Sequence, residues 1–231
     1  MSCSLKEVEA ARENFGGSRS AEKIKYLVIH YTGNDGDTAL ANARYFRDNV
    51  VKASAHYFVD DGMVYRSVPD RFIAWAVGGK KWADCERTGG GKLYGVVTNT
   101  NSISIELCDT RRDGVYGASE ETLENAAGLA RMLMDTYDIP LENVVRHFDV
   151  TGKHCPAYMM DEGAWKAFKA RLALRGMDSV PSPAHKEGVE WAVKNGILTG
   201  DKTGDLKLTE PVTRQQLCTM LFRYANRKGG N

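Results

Sequence analysis

Three side chains of this sequence carry donor types that a borderline-soft divalent cation prefers, and each stands where a short element can present it. His30 ends the apolar run Tyr26-Leu-Val-Ile29, and His147 and Cys155 flank a turn. Two imidazoles and a thiol suit zinc and leave one tetrahedral position open, the mark of a catalytic rather than a closed structural site. The spacing, His147-x7-Cys155 with His30 more than a hundred residues upstream, matches no finger or ribbon pattern, where four ligands close the sphere. Residue type alone still leaves packing or surface roles as the commoner account of isolated His and Cys side chains. The other cysteines, Cys3, Cys85, Cys108 and Cys218, make five in all, with no CxxC, which argues against a disulfide framework.

The elements that must position these residues are readable in outline. Tyr26 to Ile29 predicts a buried strand delivering His30 to a loop. Asp37 to Asn49, with Leu40, Ala43 and Phe46 at near-helical spacing and Asp37 or Thr38 as cap, predicts a helix. His56 to Arg66 predicts a hairpin turning at Asp61-Gly62. Gly78 to Asn101, with its Thr88-Gly-Gly-Gly91 cluster, predicts a long functional loop that walls a groove. In Ser102-Ile-Ser-Ile-Glu-Leu107 the period-two alternation puts Glu106 opposite the apolar face. Helical spacing from Ser119 to Tyr137 predicts a long amphipathic helix on the sheet, followed by a short strand at Val144-Val145 and a last helix over Asp161–Leu174. The fold class expected is α/β, a central mixed β-sheet flanked by helices.

The chain has 231 residues, 42% hydrophobic and 26% charged, with a net charge of +1, so disordered classes are excluded and nothing electrostatic points to nucleic acid. No apolar stretch is long enough to span a membrane, and the first twenty residues lack the apolar core of a secretory signal. The expectation is therefore synthesis in the cytoplasm without membrane insertion. Residues 1–175 form the expected first domain, 176–183 a Ser/Pro linker and 184–231 a helix-loop-helix module. In that module Gly196 is placed for a left-handed cap, Thr213 and Gln216 fit a capping box, and Leu217, Met220, Leu221 and Tyr224 supply a stripe expected to be buried.

Four blocks carry a family resemblance: Lys25-Tyr-Leu-Val-Ile-His-Tyr-Thr-Gly-Asn34, Ser54-Ala-His-Tyr-Phe-Val-Asp60, Asn101-Ser-Ile-Ser-Ile-Glu106 and His147-Phe-Asp-Val-Thr-Gly-Lys-His-Cys-Pro156. In order and separation they resemble the zinc-dependent N-acetylmuramoyl-L-alanine amidases of type 2, most closely the lysins of phages and prophages of Gram-positive bacteria. The resemblance spans about residues 12 to 175 and is shared more distantly with peptidoglycan recognition proteins. It implies Zn2+ held by His30, His147 and Cys155, with Glu106 and Lys153 as the polar catalytic pair and peptidoglycan as partner. In that scheme Glu106 takes the proton of the attacking water and passes it to the leaving amine. Lys153 sits near the developing oxyanion, where a well-aimed donor is typically worth roughly 3 to 4 kcal/mol of barrier. The bond implied is the amide between the lactyl group of N-acetylmuramic acid and L-alanine. A lysin released through a membrane hole is the usual route of such a leaderless protein to the wall.

One departure stands out: many relatives carry a catalytic Tyr immediately before the residue equivalent to His56, and here that position is Ala55. Tyr57 does not substitute, because adjacent strand positions face opposite ways. His56 is read as structural and His154 as a neighbour of the ligands rather than one of them. Trp75 and Asn34 are the substrate-binding candidates, with a buried Trp whose N–H is satisfied as the equal alternative for Trp75. In the C-terminal module, Trp191 to Gly200 and Leu208 to Leu217 resemble a single S-layer homology repeat. That resemblance implies binding of an anionic secondary cell-wall polymer, with Trp191 and Arg214 as candidate contacts, or homo-oligomerisation through the module. The competing readings are a non-catalytic peptidoglycan binder and a closed structural zinc domain.

Overall fold

The strand that ends at His30 lies inside a six-stranded sheet of a computed structural model that describes residues 5–108, 110–112, 115–173, 181, 183–201, 204–208 and 210–226. Cys3 lies outside the described residues, as does most of the expected 176–183 linker. The chain divides after Ala173 into two compact units.

In the first unit β1 (Leu5–Glu7) and β2 (Phe15–Ser18) precede β3 (Tyr26–Tyr31) and helix α1 (Ala39–Asp48). The hairpin β4 (Tyr57–Val59) and β5 (Val64–Arg66) follows, then β6 (Phe72–Ala74), the short α2 (Cys85–Thr88), β7 (Ser102–Leu107), β8 (Thr110–Arg112) and β9 (Val115–Gly117). Helix α3 (Glu120–Tyr137), β10 (Val144–Arg146), α4 (His147–Thr151) and α5 (Glu162–Ala173) complete it. The sheet order is β1-β5-β4-β7-β3-β10, with only the β4–β5 hairpin antiparallel. This is the mixed, helix-flanked sheet the sequence predicts.

Alternation sorts the strand side chains onto two faces. Leu27 and Ile29 of β3, with Ile103, Ile105 and Leu107 of β7, pack against Ala126, Ala127, Ala130 and Leu133 of α3 and Trp165, Phe168 and Leu172 of α5. Burying each large aliphatic side chain contributes roughly 1.5–3 kcal/mol, so this layer holds the sheet rigid. The opposite face of β3 and β7 carries Tyr26, Val28 and His30 beside Ser102, Ser104 and Glu106. On that side of the sheet Val77, Leu93, Val97 and Val150 pack around Val28, and Ala39 and Ala43 of α1 cover the neighbouring hairpin through Phe58 and Tyr65.

Helix boundaries have local causes. The Thr38 hydroxyl accepts from Ala41 N–H at 3.1 Å and starts α1, and Ser119 does the same for α3 from Thr122 N–H at 3.0 Å. Helix α3 ends at Tyr137 because Asp138 turns left-handed, φ 51°, two residues before Pro140. Tyr57 packs in the helix-covered layer, and its hydroxyl donates to Asp70 at 2.7 Å. Among the described residues no helix is long and apolar enough to cross a membrane.

The second unit contains α6 (Lys186–Lys194) and α7 (Arg214–Ala225). Gly196 is left-handed at φ 64°, and Thr213 and Gln216 make the reciprocal capping box. The expected burial of the α7 stripe is corrected: neither helix has a buried residue, and Leu217, Leu221 and Tyr224 are about half exposed. Two short helices enclose too little volume to cover both faces.

Candidate metal and catalytic site

His30, His147 and Cys155 converge, each buried, with one donor atom of each within 4.8 Å of the others. Two features of backbone geometry produce this. Parallel pairing of β10 with β3 sets Arg146 opposite Ile29, so His147, the next residue, emerges beside the end of the His30 strand. The turn after it closes on itself: Phe148 N–H donates to Cys155 O at 3.0 Å, and Gly152 reverses the chain at φ 85°. That closure returns Cys155 to His147. Arg146 fastens the start of the turn, its own N–H and guanidinium donating to Asp149 and two further bonds reaching Met159 O and Glu162.

The imidazoles lie edge to face with centroids 4.7 Å apart, and Cys155 Sγ is 3.9 Å from His30 Nδ1. Burial, then the neighbouring His147 and Lys153, drives the His30 pKa well below the ordinary histidine value. Burial, then Lys153, lowers that of His147 to about 4. Both rings are thus neutral at pH 7, the state in which an imidazole donates a lone pair. His30 Nε2 and His147 Nδ1 are buried with no hydrogen-bond partner, and an orphaned buried nitrogen is costly unless something occupies it. The orphaned His147 Nδ1, together with a His30 Nδ1 that lies 3.9 Å from the buried Cys155 thiol, fits Zn2+.

Glu106 is the register partner of His30 on β7, and its Oε1 lies 3.9 Å from His30 Nδ1. It is partly exposed, whereas His30 is buried, so the carboxylate lies where the buried cluster meets solvent. Lys153 is exposed on the turn between His147 and Cys155. Glu106 and Lys153 line one groove of about 600 Å3 together with Asn34, Asp37, Tyr45, Ala55 and Trp75. Both substrate-binding candidates, Asn34 and Trp75, therefore face the same cavity as the polar pair. Ala55 itself lines the groove, so no phenol reaches it from that position.

The structure also separates residues that share a neighbourhood in sequence. His56 is fully buried and outside the cluster: its Nδ1 accepts from Ser104 N–H at 3.0 Å, and its Nε2 lies 3.2 Å from Phe72 O. Burial, then the adjacent Arg19, lowers its pKa to about 3. His154 is half exposed, 3.5 Å from Asp84, and stacks on Trp82. The expectation that Gly78–Asn101 walls the groove is corrected. The groove is walled by Ala41, Asn42, Tyr45 and Phe46 of α1, by Ala53 to Ala55 and by Trp75-Ala76, while the glycine cluster folds back onto α4. Trp191 is exposed and tilted against Tyr224, and Arg214 is exposed in the first turn of α7.

Asn14 escaped sequence reading. It is fully buried; its amide donates to Phe46 O and Asn49 O, both at 2.7 Å, and its Oδ1 accepts from Val51 and Lys52 N–H. It ties the end of α1 to the segment that forms one groove wall. No motif marks such a residue.

Residues 20–158 match the family model for N-acetylmuramoyl-L-alanine amidase. The chain belongs to this family. A probable N-acetylmuramoyl-L-alanine amidase of Bacillus licheniformis is 33% identical over 163 residues, covering 68% of this chain and 44% of that protein. The amidase CwlH of Bacillus subtilis is 29% identical over 188 residues, covering 80% and 62% respectively. The chain thus spans less than two thirds of either curated relative. Among solved structures, PlyL is 31% identical with a TM-score of 0.56, covering 74% of this chain and 97% of that one. A mutant endolysin from Bacillus subtilis is 30% identical with a TM-score of 0.57, covering 74% and 99%. The family-model match lies within the first unit, the one that holds the cluster and the groove.

Proposed function

We propose that this protein is a zinc-dependent peptidoglycan hydrolase that cleaves the amide between N-acetylmuramic acid and L-alanine, acting as an endolysin at the bacterial wall. One observation carries the reading: three buried donors from two distant parts of the chain meet beside Glu106, which lines a groove together with Lys153. Held by His30, His147 and Cys155, zinc would supply Lewis-acid polarisation and an acidified water at neutral pH.

The chain's own residues do the rest. Glu106, at the groove boundary, accepts a proton from the attacking water and delivers it to the nitrogen of the departing L-alanine. Lys153 directs its ammonium toward the carbonyl oxygen as negative charge gathers there. Asn34 and Trp75 hold the muramyl-peptide, the indole offering a flat apolar face and the amide a donor and acceptor. The test is digestion of purified walls: amidase action exposes N-terminal alanine amines without new reducing sugars. Reducing ends, or binding without either product, would overturn the reading.

For the second unit we propose an S-layer-homology-like role, attachment to an anionic wall polymer or to another copy of the chain. The exposed Trp191, Leu217, Leu221, Phe222 and Tyr224 favour a surface that is covered in use. Sedimentation of the full chain, and co-sedimentation with walls with and without their secondary polymer, distinguish the two attachments. A monomer whose wall binding is indifferent to that polymer would remove both.

A further inference from the structure

The glycine-rich segment following the groove wall has an unassigned task. Its backbone is sewn to the turn that carries two of the three donors. Trp82 N–H donates to Thr151 O at 2.8 Å, Gly91 N–H to Phe148 O at 2.9 Å and Leu93 N–H to Asp149 O at 2.9 Å. Cys85 Sγ lies 3.5 Å from Thr151 O. Every residue accepting these bonds belongs to α4, between His147 and Lys153.

The packing here leaves no spare room. A Cβ on Gly90 would come within 2.5 Å of Phe148 Cε2 and 2.9 Å of Gly152 Cα. One on Gly91, left-handed at φ 67°, would meet Cys85 Sγ at 2.7 Å. Gly152 is itself left-handed and lies directly against Cys85 Sγ. At the outer edge Trp82 stacks on His154 with centroids 5.7 Å apart, and His154 Nε2 lies 3.5 Å from Asp84 Oδ2. Gly90 has no room for a side chain because Phe148 and Gly152 lie against it, and Phe148 is also the residue whose N–H closes the turn onto Cys155.

We propose that residues 82–93 are a positioning buckle, with Gly90 setting the depth at which α4 sits, and so the separation of His147 from Cys155, and Trp82 restraining the Lys153–Cys155 arm. The proposal rests on the zinc reading above. Groups that orient metal ligands from outside typically change metal affinity by about 10–100-fold when altered. Gly90→Ala must push Phe148 and Gly152 outward, whereas Trp82→Ala only frees an exposed stack and leaves the core intact. Gly17→Ala is the control, since a Cβ there meets nothing within 4 Å.

The experiment measures zinc affinity of the full chain by chelator competition, the thiolate-to-metal absorption of the cobalt(II)-substituted protein, and the thermal midpoint without metal. Expected are a loss of about tenfold or more in zinc affinity and a displaced cobalt band in Gly90→Ala, with a smaller loss in Trp82→Ala. Gly17→Ala should match wild type. Folded Gly90→Ala and Trp82→Ala proteins that bind zinc as wild type does, with an unchanged cobalt spectrum, overturn the proposal. If Gly90→Ala fails to fold, Trp82→Ala decides alone by the same two readouts. Wild-type protein that takes up no zinc would instead remove the metal reading, and this one with it.

Discussion

His30 and Glu106 face each other in register across the parallel pair β3–β7, with His30 Nδ1 3.9 Å from Glu106 Oε1. Parallel register puts both side chains on the same face of the sheet, so a donor and a proton acceptor share one site without a loop between them. Glu106→Gln keeps the shape and removes the carboxylate proposed as the base. Hydrolysis of purified walls should fall by about 10²–10⁴-fold while zinc content stays at the wild-type level. A variant that retains a tenth or more of wild-type turnover would assign the proton transfer to another group.

Zinc bound only by the folded chain must stabilise it. At a hundredfold excess over its dissociation constant the gain is about 2.7 kcal/mol, reversed by chelator. Cys155→Ser removes the soft donor, and its affinity should drop by more than the roughly 10–100-fold that follows loss of an outer partner. Thermal melts with and without zinc read this directly; an equal zinc-induced rise in midpoint for Cys155→Ser and wild type would exclude Cys155 as a ligand.

Buried His56 makes metal-free stability pH-dependent. Its folded pKa is lowered to about 3 by burial and by Arg19, against about 6.5 in an unfolded chain. The unfolded state therefore binds the extra proton between those values: stability is full above about pH 6.5 and declines as pH falls toward 3. His147, lowered to about 4, adds in the same direction. Replacing His56 with Asn should reduce the slope of unfolding free energy between about pH 4 and 6 by up to about 1.4 kcal/mol per pH unit. Parallel slopes in urea titrations of the two proteins would mean that His56 is not held neutral.

Asn14→Ala strands two carbonyls and two N–H groups in the interior. The expected loss is about 2–4 kcal/mol, seen as a lower urea midpoint. Because Asn14 braces the chain entering Ala53–Ala55, KM for wall fragments should also rise. A midpoint within about 0.5 kcal/mol of wild type would show that water replaces the amide.

What the sequence made legible was local or repeated in a family. The alternation around Glu106, a cap at Asp37 or Thr38, the helix from Ser119 to Tyr137 and the Thr213–Gln216 box each follow from a few adjacent residues, and the fold matches them. His30, His147 and Cys155 were nameable through a resemblance, since no spacing rule joins residues so far apart; their meeting depends on which strands pair. Asn14 and the Gly90 packing were hidden for the same reason, their partners being distant backbone atoms that no periodicity marks. The α7 stripe was misjudged because amphipathic spacing reports which face is apolar, not whether anything covers it.

The ring closed between Phe148 and Cys155 has a consequence for how such a centre can be built. Two of its donors belong to one self-contained hook, and the sheet contributes a single fixed post. The hook is in principle portable: another parallel sheet ending in a histidine could accept it, provided a neighbouring segment bare of side chains lets it seat.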